Sequence, residues 1–299
     1  MKILITGATG FIGQYLVSLL RTEHELLLVS RQPELAAKQL AVDNSKVIQL
    51  KQLNSLDGVD AIINLAGESL AAKRWSVEQK RRISESRWLM TETLLEKLKN
   101  STPAPRVWIN ASAIGFYGAQ GAEPLDESFT PSQTNFPNRV CAHWEELAQQ
   151  ASAFNCRVCI MRIGLVLGTQ GGALARMLPA YWCGLGGPLG SGKQMVSWIT
   201  RTDLVYIIRF LLEHSQCSGI YNATSPQAVS NAQFSAALAT ALHRPHFLRT
   251  PAWMLRLLLG EMADLLLTGQ NVQPRRLLEA GFRFRYPELP EALRHIFED

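Results

Sequence analysis

The chain has 299 residues, 47% of them apolar and 18% charged, enough to bury a substantial core in one large domain or two smaller ones. Its formal net charge of +5 is scattered, with Lys80-Arg81-Arg82 and Arg275-Arg276 the short basic runs, a pattern that suits solvated surface or an anionic small ligand and argues against a nucleic-acid partner. Five cysteines without framework spacing argue against a disulfide-stapled secreted scaffold, and with no leader pattern ahead of the first apolar run the cytoplasm is the expected compartment.

Taken in order, residues 2–6 (KILIT) read as a strand, 11–21 as a helix with one apolar face, 25–30 (ELLLVS) as a second strand, 46–51 as a weaker third and 60–65 (DAIINL) as a fourth. A long helix is predicted over 77–100, a fifth strand over 106–112, a turn-rich loop over 118–137, a helix over 139–154 and a strand over 157–166. This alternation predicts an α/β fold, a Rossmann-type doubly wound parallel sheet, with residues 1–168 as its first domain. After Gly168 glycine and proline crowd residues 171–192 and shorter helices follow. Residues 169–299 are therefore expected to form a smaller, mostly helical substrate lobe, from which the chain could cross back to the sheet. The apolar stretch 251–267 is broken by Arg256, Glu261 and Asp264, which suits an amphipathic core or interface helix and not a membrane span. Cys156 and Cys159 form a C-x-x-C with no second pair, so strand packing is expected there and no metal site.

The chemistry begins at ILITGATGFIG, residues 3–13, where Gly7, Gly10 and Gly13 stand at G-x-x-G-x-x-G between a strand and a helix. A dinucleotide needs such a turn: tight, open to close approach of its pyrophosphate, and followed by unpaired helix amides, here from the stretch Thr9, Gly10, Phe11, Ile12 and Gly13. The adenosine end is read 17 or 18 residues beyond the last glycine, at Ser30 and Arg31. A hydroxyl and a guanidinium with no carboxylate favour a 2′-phosphate, hence NADP(H) over NAD(H), unless Arg31 is simply solvated at a strand end.

The segments TGATGFIG (6–13), NLAG (64–67), ASAIGFYG (111–118), MRIGLVLG (161–168) and WITRTDL (198–204) together resemble the extended and atypical short-chain dehydrogenase/reductase superfamily, in its NAD-dependent epimerase/dehydratase branch. The resemblance implies that Leu65, Ala66 and Gly67 line the cofactor near its ribose and that Gly164 lies beside the nicotinamide amide. It also implies that Ser112 touches substrate and nicotinamide. A sub-branch with A-G-x-x-x-x-x-x-R-W and a later S-R is matched by Ala66-Gly67, Arg74-Trp75 and Ser86-Arg87, which adds Arg87 to the implied cofactor residues.

In standard members of that superfamily a tyrosine and a lysine four residues later share one helical face beside the nicotinamide, and the ammonium lowers the phenol's pKa for proton exchange with the substrate. Aligned on Glu145, this chain has Cys141 in the lysine slot and Pro137 in the tyrosine slot, preceded by Phe136. The relay is missing. Ser112 and Tyr117 remain the catalytic candidates, with a strand-end cap the alternative for Ser112 and substrate contact or packing the alternative for Tyr117. Cys141 is expected to be packed and inert, because Arg139 and His143 lie about 200° around the helix from it. The near-match GPLGSGK (187–193) to a triphosphatase loop has Gln194 where a magnesium-binding hydroxyl is needed, and a flexible lid is expected instead. The expected function is an NADPH-binding oxidoreductase or epimerase-like protein without the usual relay. It would act on a small-molecule substrate, nucleotide-linked ones included, as a monomer or homodimer; a non-catalytic NADPH-dependent sensor is the alternative.

Overall fold

The computed structural model describes residues 1–132 and 134–298. Seven strands form one parallel sheet: β1 Lys2–Thr6, β2 Glu25–Val29, β3 Val47–Ile48, β4 Ala61–Asn64, β5 Val107–Ala113, β6 Arg157–Ile163 and β7 Gly219–Ala223. Their spatial order is β7-β6-β5-β4-β1-β2-β3. The central strands are apolar runs because helices cover both faces. In β1, Ile3 and Ile5 enter one core with α1 (Phe11–Leu20), α2 (Pro33–Leu40) and α6 (Arg201–Glu213), while Leu4 between them enters a second core with α3 (Val77–Lys99) and α4 (Phe136–Gln149). The strand order reverses at β1 and β4, which opens a crevice beyond their carboxyl ends, the position where such sheets bind ligands.

Several boundaries differ from the sequence reading for identifiable reasons. The third strand shrinks to two residues at the sheet edge. The sixth stops at Ile163, and the chain leaves through Gly164 into a separate short strand, Leu165–Leu167, paired with Trp198–Thr200. Helix α4 starts three residues earlier than its apolar period indicates, because the Asn135 side chain accepts the Asn138 N–H at 2.9 Å and Pro137 fits the first turn.

Beyond the sheet, α5 (Gly172–Trp182), α7 (Asn231–Ala241) and the helix Leu289–Glu298 share a third core built on Leu174, Leu178, Trp198, Phe234, Leu238 and Leu293. Helix α6 packs in the first core of the sheet, and β7 is its edge strand beside β6. The loop expected as a flexible lid is pinned instead. Leu189 N–H donates to Asn231 Oδ1 at 2.8 Å, Gly190 N–H to the Thr250 carbonyl at 2.8 Å, and Thr250 N–H to the Pro188 carbonyl at 3.0 Å. Among the described residues no helix is long and apolar enough to cross a membrane. Cys156 and Cys159 are buried in the two different cores of the sheet.

Candidate functional site

The glycine turn leaves no room for side chains. Gly7 has φ +71°, and a Cβ there would stand 2.7 Å from the Leu65 carbonyl carbon; one on Gly13 would stand 2.3 Å from the Gly7 oxygen. Gly10 closes the turn by donating its N–H to the Gly7 carbonyl at 3.0 Å, and no side chain caps α1 after it. The opening amides of the helix, from Phe11, Ile12 and Gly13, are therefore left for an anion. The Thr9 carbonyl is fixed by Gln14 Nε2 at 2.9 Å and Gln39 Nε2 at 3.2 Å. The Phe11 ring turns away from the turn, packs against Gly168, Gly171 and Gly172, and lies 5.1 Å from the Arg201 guanidinium.

At the close of β2, the Ser30 N–H donates to the Ile48 carbonyl at 3.0 Å, and the Ser30 hydroxyl accepts the Gln32 N–H at 3.2 Å. Arg31 is exposed beside it, with no ion pair among the described residues. At the end of β4, the Thr6 hydroxyl donates to Asn64 Oδ1 at 2.6 Å and accepts the Ala66 N–H at 3.2 Å, which ties the glycine turn to Leu65, Ala66 and Gly67. Arg87, reaching from α3, lies over Gly67: a Cβ on that glycine would stand 2.9 Å from Cζ of the guanidinium. Gly164 sits at the exit of β6, where a Cβ would be 2.6 Å from the Ser197 carbonyl oxygen.

The relay slots have the residues that the alignment assigned, on the first turns of α4. Phe136 makes an edge contact with Trp75 at 5.1 Å. Pro137 packs against Gly115, and Cys141 is buried, its thiol pushed up to about 11 by burial and the neighbouring Glu145 despite the opposing Arg87. Neither slot offers a phenol or a cation. A buried polar chain runs behind them. Ser112 Oγ donates to Glu145 Oε1 at 2.6 Å, and Arg162 clamps both Glu145 oxygens at 3.0 and 2.8 Å. Arg162 Nη1 donates to the Tyr117 hydroxyl at 3.1 Å, which in turn donates to Asn222 Oδ1 at 2.6 Å. The guanidinium is also stacked 3.4 Å from the Phe116 ring centroid.

This network locates both catalytic candidates. Tyr117 is 0% exposed, with its hydroxyl engaged as donor and acceptor, and burial raises its pKa even beside Arg162. Its ring meets those of Phe116 and Phe129 at 5.5 and 6.2 Å. Ser112 is 3% exposed at the end of β5, its proton directed to Glu145, so a lone pair is what it offers to any ligand. Glu145 served the sequence reading merely as an alignment anchor, while Arg162 and Asn222 went unnoticed. The available signal was Arg162 itself, a charge within the apolar strand CIMRIGLVLG that burial obliges to find a partner.

Further contacts bridge the two halves of the chain. Lys80 pairs with Glu261, Arg176 donates to the Ala71 carbonyl, and a Cβ on Gly260 would lie 3.2 Å from Arg74.

The profile of the NAD dependent epimerase/dehydratase family matches residues 3–224, and that of a domain of unknown function, DUF1731, matches residues 250–296. The chain is 39% identical to the chloroplastic SDR39U1 homolog of Arabidopsis thaliana, described as an epimerase family protein, over all of this chain and 87% of that one. The crystal structure of human epimerase family protein SDR39U1 with NADPH superposes with a TM-score of 0.91 at 32% identity, covering 100% of both chains. A nucleoside-diphosphate sugar epimerase from Corynebacterium glutamicum superposes with a TM-score of 0.77 at 30% identity, over 99% of this chain and 57% of that one. With a profile spanning most of its length and a relative of this identity aligned from end to end, the chain belongs to the NAD dependent epimerase/dehydratase family.

Proposed function

We propose that this protein binds NADP(H) across the carboxyl edge of its sheet and acts on a small, nucleotide-linked hydroxyl or carbonyl substrate without the usual tyrosine-lysine relay. The observation that carries the reading is the glycine turn, where Gly7 and Gly13 exclude a Cβ and one on Gly10 would be tight, while the amides of α1 stay uncapped, a cradle that fits a pyrophosphate. When bound, the nicotinamide would supply hydride transfer.

The chain's own residues divide the remaining work. The amides of Phe11, Ile12 and Gly13 hold the pyrophosphate, with Thr9 and Gly10 shaping the turn. Ser30 and Arg31 take the 2′-phosphate, supported by the exposure of Arg31 and the absence of a carboxylate at either position. Leu65, Ala66, Gly67 and Gly164 keep the crevice floor narrow. Ser112, held by Glu145, accepts a hydrogen bond from the substrate hydroxyl, and Tyr117 acts behind it as a positioning residue through Arg162 and Glu145. The lobe after residue 168 contributes the substrate side. The human relative whose structure contains NADPH supports the cofactor choice, and the sugar epimerase from Corynebacterium supports the substrate class.

The test is a binding titration with NADPH and NADH, followed by turnover assays on nucleotide sugars, aldehydes and ketones. NADPH should bind at least about tenfold tighter than NADH, and turnover should fall on Ser112→Ala. Equal affinities would remove the 2′-phosphate assignment, and NADPH binding with no turnover on any substrate would contradict the enzymatic reading.

A further inference from the structure

Standard members of the family place a cation beside the nicotinamide ribose from α4, and here that position is Cys141, a buried neutral thiol. A different cation stands next to it. Arg87 projects from α3, and its guanidinium is set between the backbone of Gly67 at the end of β4 and the Trp144 ring of α4, 5.3 Å from its centroid. The contact with Gly67 is close: a Cβ there would meet Cζ, Nη2 and Nε at 2.9, 3.1 and 3.2 Å, so a side chain at residue 67 would push the guanidinium out of this position.

This plate has no direct ion pair among the described residues, and Glu68 acts on its charge only at longer range. Nη1 donates to the Ile83 carbonyl at 2.8 Å and to Ser86 Oγ at 3.5 Å, and among the described residues no carboxylate comes within ion-pairing distance of Arg87. Nε and Nη2 donate to no protein acceptor among the described residues. Arg162 behaves differently: it is buried with a bidentate carboxylate partner. A half-buried guanidinium with an unpaired donor edge is poorly compensated unless an outside group completes it. The location says which group. The pyrophosphate belongs at α1, on the β1 side of the switch point, so the dinucleotide's distal half runs past β4 and β5, where Gly67 and Arg87 stand.

We infer that Arg87 is this chain's replacement for the missing lysine, offering its free edge to the vicinal hydroxyls of the nicotinamide ribose from α3 instead of α4. The forked, planar donors of arginine suit a diol, and a guanidinium keeps its charge at every physiological pH. The inference rests on the NADP(H) reading above and assigns to Arg87 the half of the cofactor that the glycine turn does not touch.

Two probes test it by calorimetry: NADPH, and 2′-phospho-ADP, which keeps both phosphates and the 2′-phosphate but lacks the distal ribose and nicotinamide. Arg87→Met should weaken NADPH about ten- to a hundredfold, as expected for lost charge-assisted hydrogen bonds, and leave 2′-phospho-ADP within about twofold. Arg87→Lys should recover part of the loss, and it supplies the same pair of measurements should Arg87→Met fail to fold. Parallel loss of both ligands would show that Arg87 acts through the fold, and an unchanged NADPH affinity would show no contact; either result overturns the inference. A wild-type chain that takes up neither probe overturns the cofactor reading itself, so the two failures are distinguishable.

Discussion

The amino ends of α1 and α4 lie on the same edge of the sheet and have opposite characters. At α1 the polar groups face outward: three glycines strip the turn of side chains, no residue caps the helix, and its amides wait for an anion. At α4 the polar groups face inward, since Asn135 caps the helix and Ser112, Glu145, Arg162, Tyr117 and Asn222 saturate one another beneath it. The two helix ends are thus built independently in this fold. One keeps its amides free, while the side chains beside the other hold strands and helix together and leave Ser112 a lone pair.

The sharpest way to break that contrast is to remove Glu145. Glu145→Ala would leave Arg162 buried without its counter-charge, and a loss of about 3–5 kcal/mol in denaturant unfolding is expected; a loss below about 1 kcal/mol would mean that the network is not structural. Gly13→Val tests the other end. Its side chain would collide with the Gly7 oxygen, and NADPH affinity should fall more than about a hundredfold, near 3 kcal/mol.

Tyr117→Phe comes next in size. It leaves Arg162 Nη1 and Asn222 Oδ1 without a partner and should cost about 1–3 kcal/mol of stability. Turnover abolished at unchanged stability would instead restore the phenol as a proton donor. Arg31→Ala should weaken NADPH by about tenfold or more and leave NADH nearly unmoved, measured by the same titrations.

The smallest effect concerns acid stability away from both sites. Both ring nitrogens of His24 lack a partner among the described residues, and burial together with the N-terminal ammonium lowers its pKa, against the opposing pull of Glu23 and Glu213. The unfolded chain then binds a proton more readily than the folded one, so stability should fall as pH drops below about 6.5 towards the lowered folded value. His24→Gln should flatten that part of the unfolding curve, and an unchanged slope would assign it to other groups.

The α1 end was legible in the sequence because its physics is local: strand, glycines and helix follow within 20 residues, and Gly7 and Gly13 are required by atoms nearby in the chain or on the next strand. The α4 end was legible as a vacancy and not as a structure. Pro137 and Cys141 could be placed by spacing, but Glu145 meets Arg162 and Ser112 only after β5 and β6 pair with Ser112 opposite Arg162. The same holds for the polar cluster in which Asn64 Nδ2 donates to Thr91 at 3.0 Å and to Asn110 at 2.8 Å while Trp144 donates to Thr91 at 2.9 Å. Those partners are dozens of residues apart, and no periodicity announces them. The pinned loop near residue 190 escaped for a related reason: its glycine content suggests mobility, while its restraints come from Asn231 and Thr250.

The measurement that bears most directly on the whole account is a calorimetric titration of the purified wild-type chain with NADPH. A saturable isotherm at one site per chain, tighter than that for NADH, is the predicted result. No uptake at millimolar cofactor, or indifference to Gly13→Val, would contradict the claim that the uncapped amides of α1 are there to hold a dinucleotide.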